Sequence, residues 1–299
     1  MKKMLFALNP NAGKGTFNND FFLVTDMFIK NGYDVTTYIT QEPGELTNIV
    51  RDRLPYFDLL TVWGGDGTLN EAVNGIVKAN SSKNTLGYIP KGTVNDFATS
   101  LKIPKTPLNA AKLICEGTPF SCDLGVFNGR YFTYVSAFGA FTSVSYSTSQ
   151  AKKKIFSRFA YIIDGAGSIA EIKPIRAKVY VNGKIYENDY IYGMVSNTKS
   201  VGGFSIGNLE VNMNDGMFEL MLVKMPKTSA EWNTLITSLM LKKFDSPLIL
   251  TEKTNKVIFE FDKEVPWTVD GEFGGSVKKA EIFARNSAVK IMVSMDYVQ

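Results

Sequence analysis

One acidic residue, Asp66, stands inside a run of glycines, and this combination is typical of a site that handles phosphate together with a metal ion. The run reads Gly64-Gly65-Asp66-Gly67. Glycines let the backbone turn without Cβ clashes and leave its N–H groups open to an anion. A carboxylate next to an anion site needs a cation or a hydroxyl proton, and a nucleotide with magnesium supplies the cation. The alternative interpretation, a tight turn whose aspartate caps a helix, is equally consistent with this motif alone.

The neighbouring segments predict that the glycine turn connects a buried strand to a helix. Leu59 to Trp63 form an apolar run of strand length, suited to burial on both faces. Thr68 stands three residues before Glu71, the spacing of a capping box, so we predict a helix with Thr68 as its N-cap. The predicted unit is a strand, a glycine turn and a capped helix.

Two further loops of similar kind follow predicted strands. Residues 9–15 read NPNAGKG after a strand over residues 3–8, and residues 91–98 read KGTVNDFA after a strand over residues 86–90. The first loop is not a Walker loop because Leu8 occupies the position of the first glycine, and alone it is more often a simple connection. In the other loop, Thr93 and Asp96 repeat the capping-box spacing.

Predicted helices and strands alternate through the first 110 or so residues, which favours a parallel, doubly wound sheet. In such a sheet the loops that follow the strands emerge at one edge, where ligands bind. We therefore expect the three loops to lie together, and this expected convergence favours a nucleotide site over three unrelated turns.

The amino-acid composition excludes several classes of binding and catalytic function. The chain has 33 basic and 29 acidic residues, a net charge of +4, which is too mild for a typical nucleic-acid binder. It contains no histidine, so catalysis through Ser-His-Asp or Cys-His systems is excluded, and any base must be a carboxylate, Lys, Tyr or Cys. No apolar run reaches the roughly 18 residues of a membrane span, and Cys115 and Cys122 lack metal-ligand spacing. We expect a cytoplasmic protein.

With these motifs in view, the chain resembles the diacylglycerol-kinase-type catalytic domain of bacterial lipid kinases, which is related to sphingosine kinases. The resemblance rests on NPNAGKG, GGDGTLNEAVNG and GTVNDFA in that order, and it continues through Asn214-Asp215-Gly216 and Val269-Asp270-Gly271-Glu272. It implies an α/β N-terminal domain, doubly wound and similar to phosphofructokinase and NAD kinase, followed by a mainly β sandwich domain.

The expected domains are residues 1–124, for the nucleotide, and residues 125–288, for the lipid, with residues 289–299 returning to the first domain. Short apolar runs separated by turns support the β-rich second half, and Asn182-Gly183 predicts a hairpin. A helical insert over residues 152–172 begins with three lysines. It either contacts anionic lipid headgroups or simply covers the sandwich.

The resemblance also implies residue roles. Glu272, in a glycine-bordered turn, is the expected base that takes the hydroxyl proton, and Asp66 is the expected partner of magnesium, supported by Asn95 and Asp96. The residues expected to position ATP are Asn9, Pro10, Asn11, Ala12, Gly13, Lys14, Thr40, Gly65, Gly67, Thr68, Leu69, Asn70, Glu71 and Thr93.

A second magnesium site is implied at Asp215, with backbone oxygens near Asn212 and Met217. The family often has two acids before the glycine of this loop, whereas this chain has Asn214 in the first position. Without the resemblance, Asn-Asp-Gly would be interpreted as a β-turn.

The expected function is ATP-dependent phosphorylation of diacylglycerol to phosphatidic acid at the membrane surface, with a homodimer implied by resemblance. An NAD kinase shares the GGDGT turn, but the other two loops argue against it. A nucleotide-gated lipid-binding protein without turnover is a rival from another class. A dinucleotide oxidoreductase is disfavoured because no G-x-G-x-x-G follows the first strand.

Overall fold

The structure is a computed structural model that describes residues 1–13, 18–80, 85–140, 172–198, 200–201, 204–205, 211–241 and 243–298. Its strands are β1 Lys2–Leu8, β2 Tyr33–Ile39, β3 Leu59–Gly64, β4 Thr85–Pro90, β5 Thr118–Phe127, β6 Arg130–Phe132, β7 Val135–Gly139, β8 Ile175–Val181, β9 Lys184–Ser196, β10 Ser200–Val201, β11 Phe204–Ser205, β12 Phe218–Lys224, β13 Ile249–Thr254, β14 Lys256–Val269 and β15 Glu272–Val293.

The helices are α1 Asn18–Lys30, α2 Glu45–Arg53, α3 Asp66–Lys78, α4 Asp96–Ser100, α5 Pro107–Glu116 and α6 Ser229–Met240, with a 3-10 turn at Leu54–Tyr56 and a short terminal helix at Met295–Val298. The predicted helix over residues 152–172 lies outside the described residues except for its last position. Among the described helices, none has the length and apolarity needed to cross a bilayer.

The chain divides into two compact units. Unit 1 comprises Met1–Leu124 and Asn286–Gln299, and unit 2 comprises Gly125–Arg285. The functions expected of the two domains stay predictions.

Unit 1 is built on a parallel sheet with the strand order β2-β1-β3-β4-β15. Met4 lies opposite Leu59, Leu59 opposite Thr85, and Thr85 opposite Lys290 of the last strand. The interior residues of β1, β3 and β4 are almost all buried, as expected for strands covered by helices on both faces. Parallel pairing places the loops that follow β1, β3 and β4 at one edge of the sheet.

Unit 2 is mainly antiparallel β structure, and two of its long strands each pair with different neighbours along their length. β9 pairs with β8 through its first half and with β7 and β12 through its second half. β14 likewise pairs first with β8 and then with β7. The predicted hairpin is confirmed, with positive φ at Asn182 and Gly183. Aromatic side chains form the centre of this core, where the ring centroids of Phe138 and Trp267 lie 4.9 Å apart.

Candidate active site

The three glycine-rich loops of unit 1 contact one another, as their places after parallel strands predict. The Asn9 side-chain amide donates to Thr68 Oγ1 at 3.1 Å, which joins the first loop to the start of α3. A Cβ on Gly13 would lie 2.3 Å from the carbonyl oxygen of Lys91, so only glycine allows the first loop to approach the third this closely. Lys14 lies outside the described residues.

Asp66 is joined directly to the third loop. Its Oδ2 accepts a hydrogen bond from the Asn95 backbone N–H at 3.0 Å. Asn95 adopts a left-handed conformation, with φ of 57°, and its Oδ1 accepts from the Gly92 N–H at 2.8 Å. The Gly64 carbonyl accepts from the Lys91 N–H at 2.7 Å. The second and third loops therefore form one backbone-lined surface with a partly buried carboxylate on it.

Two predicted capping boxes are wrong. Helix α3 begins at Asp66 after the N-cap Gly65, so Thr68 lies inside the first turn, where its hydroxyl accepts from Asn9. Helix α4 begins at Asp96 after the N-cap Asn95, and Thr93 is exposed. In both cases the close approach of a neighbouring loop moves the helix start away from the residue that local propensity favours.

Glu71 is directed toward α2. Its two carboxylate oxygens accept hydrogen bonds from the backbone N–H groups of Gly44, at 2.9 Å, and Leu46, at 3.2 Å. These amides lie at the N-terminus of α2, where unsatisfied donors and the helix dipole favour an acid. This geometry gives Glu71 a helix-capping contact in addition to the nucleotide role that the sequence predicts.

The other residues predicted to bind the nucleotide differ in burial and in hydrogen-bond partners. Leu69 has its side chain fully buried and its N–H bonded to the Gly65 carbonyl. Thr40 is buried, and its N–H donates to the Leu8 carbonyl at 3.0 Å. The Asn70 side chain accepts from Asn74 at 3.1 Å. Pro10 and Asn11 are exposed, Ala12 is buried and Gly67 is partly buried.

Lys91 is a residue of this loop cluster that the sequence reasoning missed. Its ammonium lies 5.5 Å from the centroid of the Trp63 ring, and partial burial lowers the pKa of the amine. The signal was present in the sequence, because Lys91 directly precedes Gly92 after a predicted strand. A cation at this position adds positive charge next to backbone N–H groups, which favours phosphate.

In unit 2, Glu272 is the first residue of β15 and its side chain is exposed. It follows the two-residue turn Asp270-Gly271 and lies opposite Val269 of β14. This exposure is consistent with the predicted role of general base, which needs access to solvent and substrate.

Asp215 has an ionic partner within unit 2. Its Oδ2 lies 2.7 Å from the ammonium of Lys253, and its Oδ1 accepts from the Met217 N–H at 3.0 Å. Asn212 Oδ1 accepts from the Asn214 N–H at 3.4 Å. Glu219, which the sequence reasoning did not single out, is almost fully buried close by, and burial raises its pKa to about 7 while the charge of Lys253 acts in the opposite direction.

Magnesium requires hard oxygen ligands, and the two candidate sites offer different sets of them. Asp66 brings one partly buried carboxylate to the loop surface of unit 1, which suits the ion that accompanies a nucleotide, whereas Asp96 is 2% exposed. The loop at Asp215 offers one carboxylate with backbone oxygens, and that carboxylate is paired with Lys253. Among the described residues no group of three or more acidic or cysteine side chains has the arrangement of a metal site.

Comparison with known proteins identifies the family. The family model described as "Diacylglycerol kinase catalytic domain" matches residues 3–127. A diacylglycerol kinase of Bacillus subtilis is 31% identical over 277 residues, covering 92% of this chain and 91% of the relative. A diacylglycerol kinase of Staphylococcus aureus is 31% identical over 308 residues, covering 99% of this chain and 97% of the relative.

Solved structures agree at the level of the fold. A Bacillus anthracis protein superimposes with a TM-score of 0.84 at 24% identity, covering 99% of this chain and 98% of that one. A diacylglycerol kinase from Bacillus anthracis gives a TM-score of 0.77 at 23% identity, with the same coverage.

The sequence relatives show that the chain is an enzyme of the kinase class, as its loops predict. It belongs to the diacylglycerol kinase family.

Proposed function

We propose that this chain transfers the γ-phosphoryl group of ATP to the free hydroxyl of diacylglycerol and releases ADP and phosphatidic acid. The observation that carries the proposal is the contact between the glycine-rich loops of unit 1, with the Asp66 carboxylate bonded to the third loop at Asn95. Unit 1 is then the nucleotide-binding domain, doubly wound like phosphofructokinase and NAD kinase, and unit 2 is a β-sandwich that takes the lipid.

In this mechanism the loops of unit 1 hold the triphosphate through backbone N–H groups, with Lys91 adding positive charge. Asp66 would hold magnesium or its bound waters, with Asn95 and Asp96 supporting the same network, and the ion would neutralise phosphate charge when it is bound. Asn9, Gly13, Thr68 and Thr93 position the nucleotide, together with Lys14 in the first loop.

Glu272 accepts the proton of the diacylglycerol hydroxyl as the oxygen bonds to the γ-phosphorus and the bond from that phosphorus to the bridging oxygen of ADP breaks. No histidine is available for this step anywhere in the chain. Because diacylglycerol is a lipid, the reaction requires contact with a membrane surface. That contact, a homodimer and a magnesium ion at Asp215 stay predictions of the resemblance.

The test is transfer of radiolabelled γ-phosphate from ATP with magnesium. Diacylglycerol in mixed micelles, a panel of other lipid alcohols and NAD are offered in separate reactions. Label in phosphatidic acid supports the proposal. Label in NADP would mean that the acceptor is wrong, and measurable ATP binding with no labelled product would favour a binding protein without turnover.

The role of Glu272 is tested in the same assay with Glu272→Ala. We expect the rate to fall by more than about tenfold, a loss above about 1.4 kcal/mol of transition-state stabilisation. A smaller loss would remove Glu272 from the role of base.

A further inference from the structure

The turn that precedes Glu272 is held by a buried aspartate. Asp270 and Gly271 connect β14 to β15, and both have positive φ, 49° and 77°. This is the conformation of a tight hairpin turn, and it costs energy at any residue other than glycine. Asp270 is 3% exposed, so its carboxylate must find partners inside the protein.

Those partners come from one short segment, residues 133–135. Asp270 Oδ2 accepts from the Thr133 N–H at 2.7 Å and from the Thr133 hydroxyl at 2.8 Å. Asp270 Oδ1 accepts from the N–H groups of Tyr134, at 3.0 Å, and Val135, at 3.1 Å. The Asp270 N–H donates to the Val135 carbonyl at 2.8 Å. One side chain thus binds three successive backbone amides and fixes the turn to the start of β7.

Asp270 and Glu272, the two acids of the Asp-Gly-Glu sequence, have different surroundings and therefore different roles. Burial raises the pKa of Asp270, while the bonds from residues 133–135 act in the opposite direction. Both carboxylate oxygens are directed at backbone donors, so they are not presented to a substrate. Glu272 is exposed and lies two residues along the chain, and its backbone position depends on the turn that Asp270 holds.

We propose that Asp270 is a positioning residue for the reaction, because its contacts with residues 133–135 fix the Asp270-Gly271 turn and thereby the direction of the Glu272 side chain. The proposal rests on the role of base given to Glu272 above. It assigns no proton transfer to Asp270. It predicts that loss of the Asp270 carboxylate affects turnover through Glu272 and leaves ATP binding unchanged.

The test compares Asp270→Asn, Glu272→Gln, the double variant and a matched control, Asp262→Asn. Asp262 is an exposed aspartate on the same strand, β14. We expect Asp270→Asn to lower kcat by about ten- to a hundredfold with the KM for ATP unchanged, because the amide presents a donor to backbone N–H groups. The double variant should be no slower than Glu272→Gln alone, because residues that act as a unit are not additive.

Each outcome decides one question. A kcat for Asp270→Asn equal to that of Asp262→Asn would overturn the positioning role while leaving the proposed function intact. Losses that multiply in the double variant would also overturn it, because the two acids would then act independently. If Glu272→Gln retains activity within about tenfold of the wild type, the role of Glu272 fails separately.

A milder variant covers the case in which Asp270→Asn fails to fold. Thr133→Val keeps the backbone donor at residue 133 and removes only the hydroxyl that contacts Asp270. We expect a two- to fivefold lower kcat with an unchanged KM for ATP, roughly the effect of losing one hydrogen bond among several. An unchanged kcat in a folded Thr133→Val protein would count against the proposal.

Discussion

Unit 1 and unit 2 each contain an aspartate followed by glycine shortly after a buried strand, and the two side chains have different surroundings. Asp66 is partly buried at the start of a helix and accepts a hydrogen bond from the Asn95 amide. Asp270 is almost fully buried in a hairpin turn and accepts from three consecutive amides and a hydroxyl. The same dipeptide therefore lies in the proposed nucleotide site of one unit and in a buried turn contact of the other.

The variant Asp66→Asn tests this difference between the two aspartates most directly. Because we propose that Asp66 acts on magnesium and phosphate, we expect activity to fall at least a hundredfold, about 2.7 kcal/mol of transition-state stabilisation. The melting temperature should shift by less than about 3 °C, because the side chain is only partly buried. Phosphoryl transfer and thermal unfolding measure the two effects. A large loss of stability with intact activity would show that Asp66 has a structural role and no role in phosphoryl transfer.

The hairpin turn of unit 2 is tested by Gly271→Ala. We expect a loss of about 1–2 kcal/mol in the free energy of unfolding, because φ at this glycine is 77°. The matched control is Gly183→Ala in the other two-residue turn, where φ is 72° and a Cβ would meet nothing within 4 Å. At Gly271 a Cβ would lie 3.2 Å from the Tyr134 hydroxyl, so Gly271→Ala should cost at least as much as the control in urea unfolding.

A third Asp-Gly pair, at Asp215, gives the smallest expected effect. Lys253→Met removes the ammonium 2.7 Å from Asp215 and should cost about 0.5–1 kcal/mol, the range of a partly exposed ion pair. Lys279→Met, which breaks the more exposed pair with Glu260, is the control.

We also expect magnesium to raise the melting temperature of Lys253→Met more than that of the wild type, since the proposed metal would then replace the lost cation. Equal responses would show that Lys253 does not compete with a metal ion.

Sequence reasoning predicted the elements of unit 1 well because parallel strands buried on both faces carry a strong apolar signal, as at Leu59 to Trp63. It also predicted that the glycine loops meet, since parallel pairing places them at one edge. It could not predict the environment of Asp270, which depends on a segment 135 or more residues earlier in the chain. The capping boxes failed for a related reason, because the first turn of α3 uses Thr68 to bind Asn9. The relation of Glu219 to Lys253 was also hidden, because it arises from strand register.

The contact between Glu71 and the first amides of α2 has a consequence for hydrogen exchange. The N–H groups of Gly44 and Leu46 donate to a side chain that belongs to α3. Exchange of these amides with deuterated solvent therefore requires each N–H to separate from the Glu71 carboxylate, which belongs to a different helix. We expect the two amides to exchange more slowly than helix N-terminal amides usually do, with a protection that depends on the contact with Glu71.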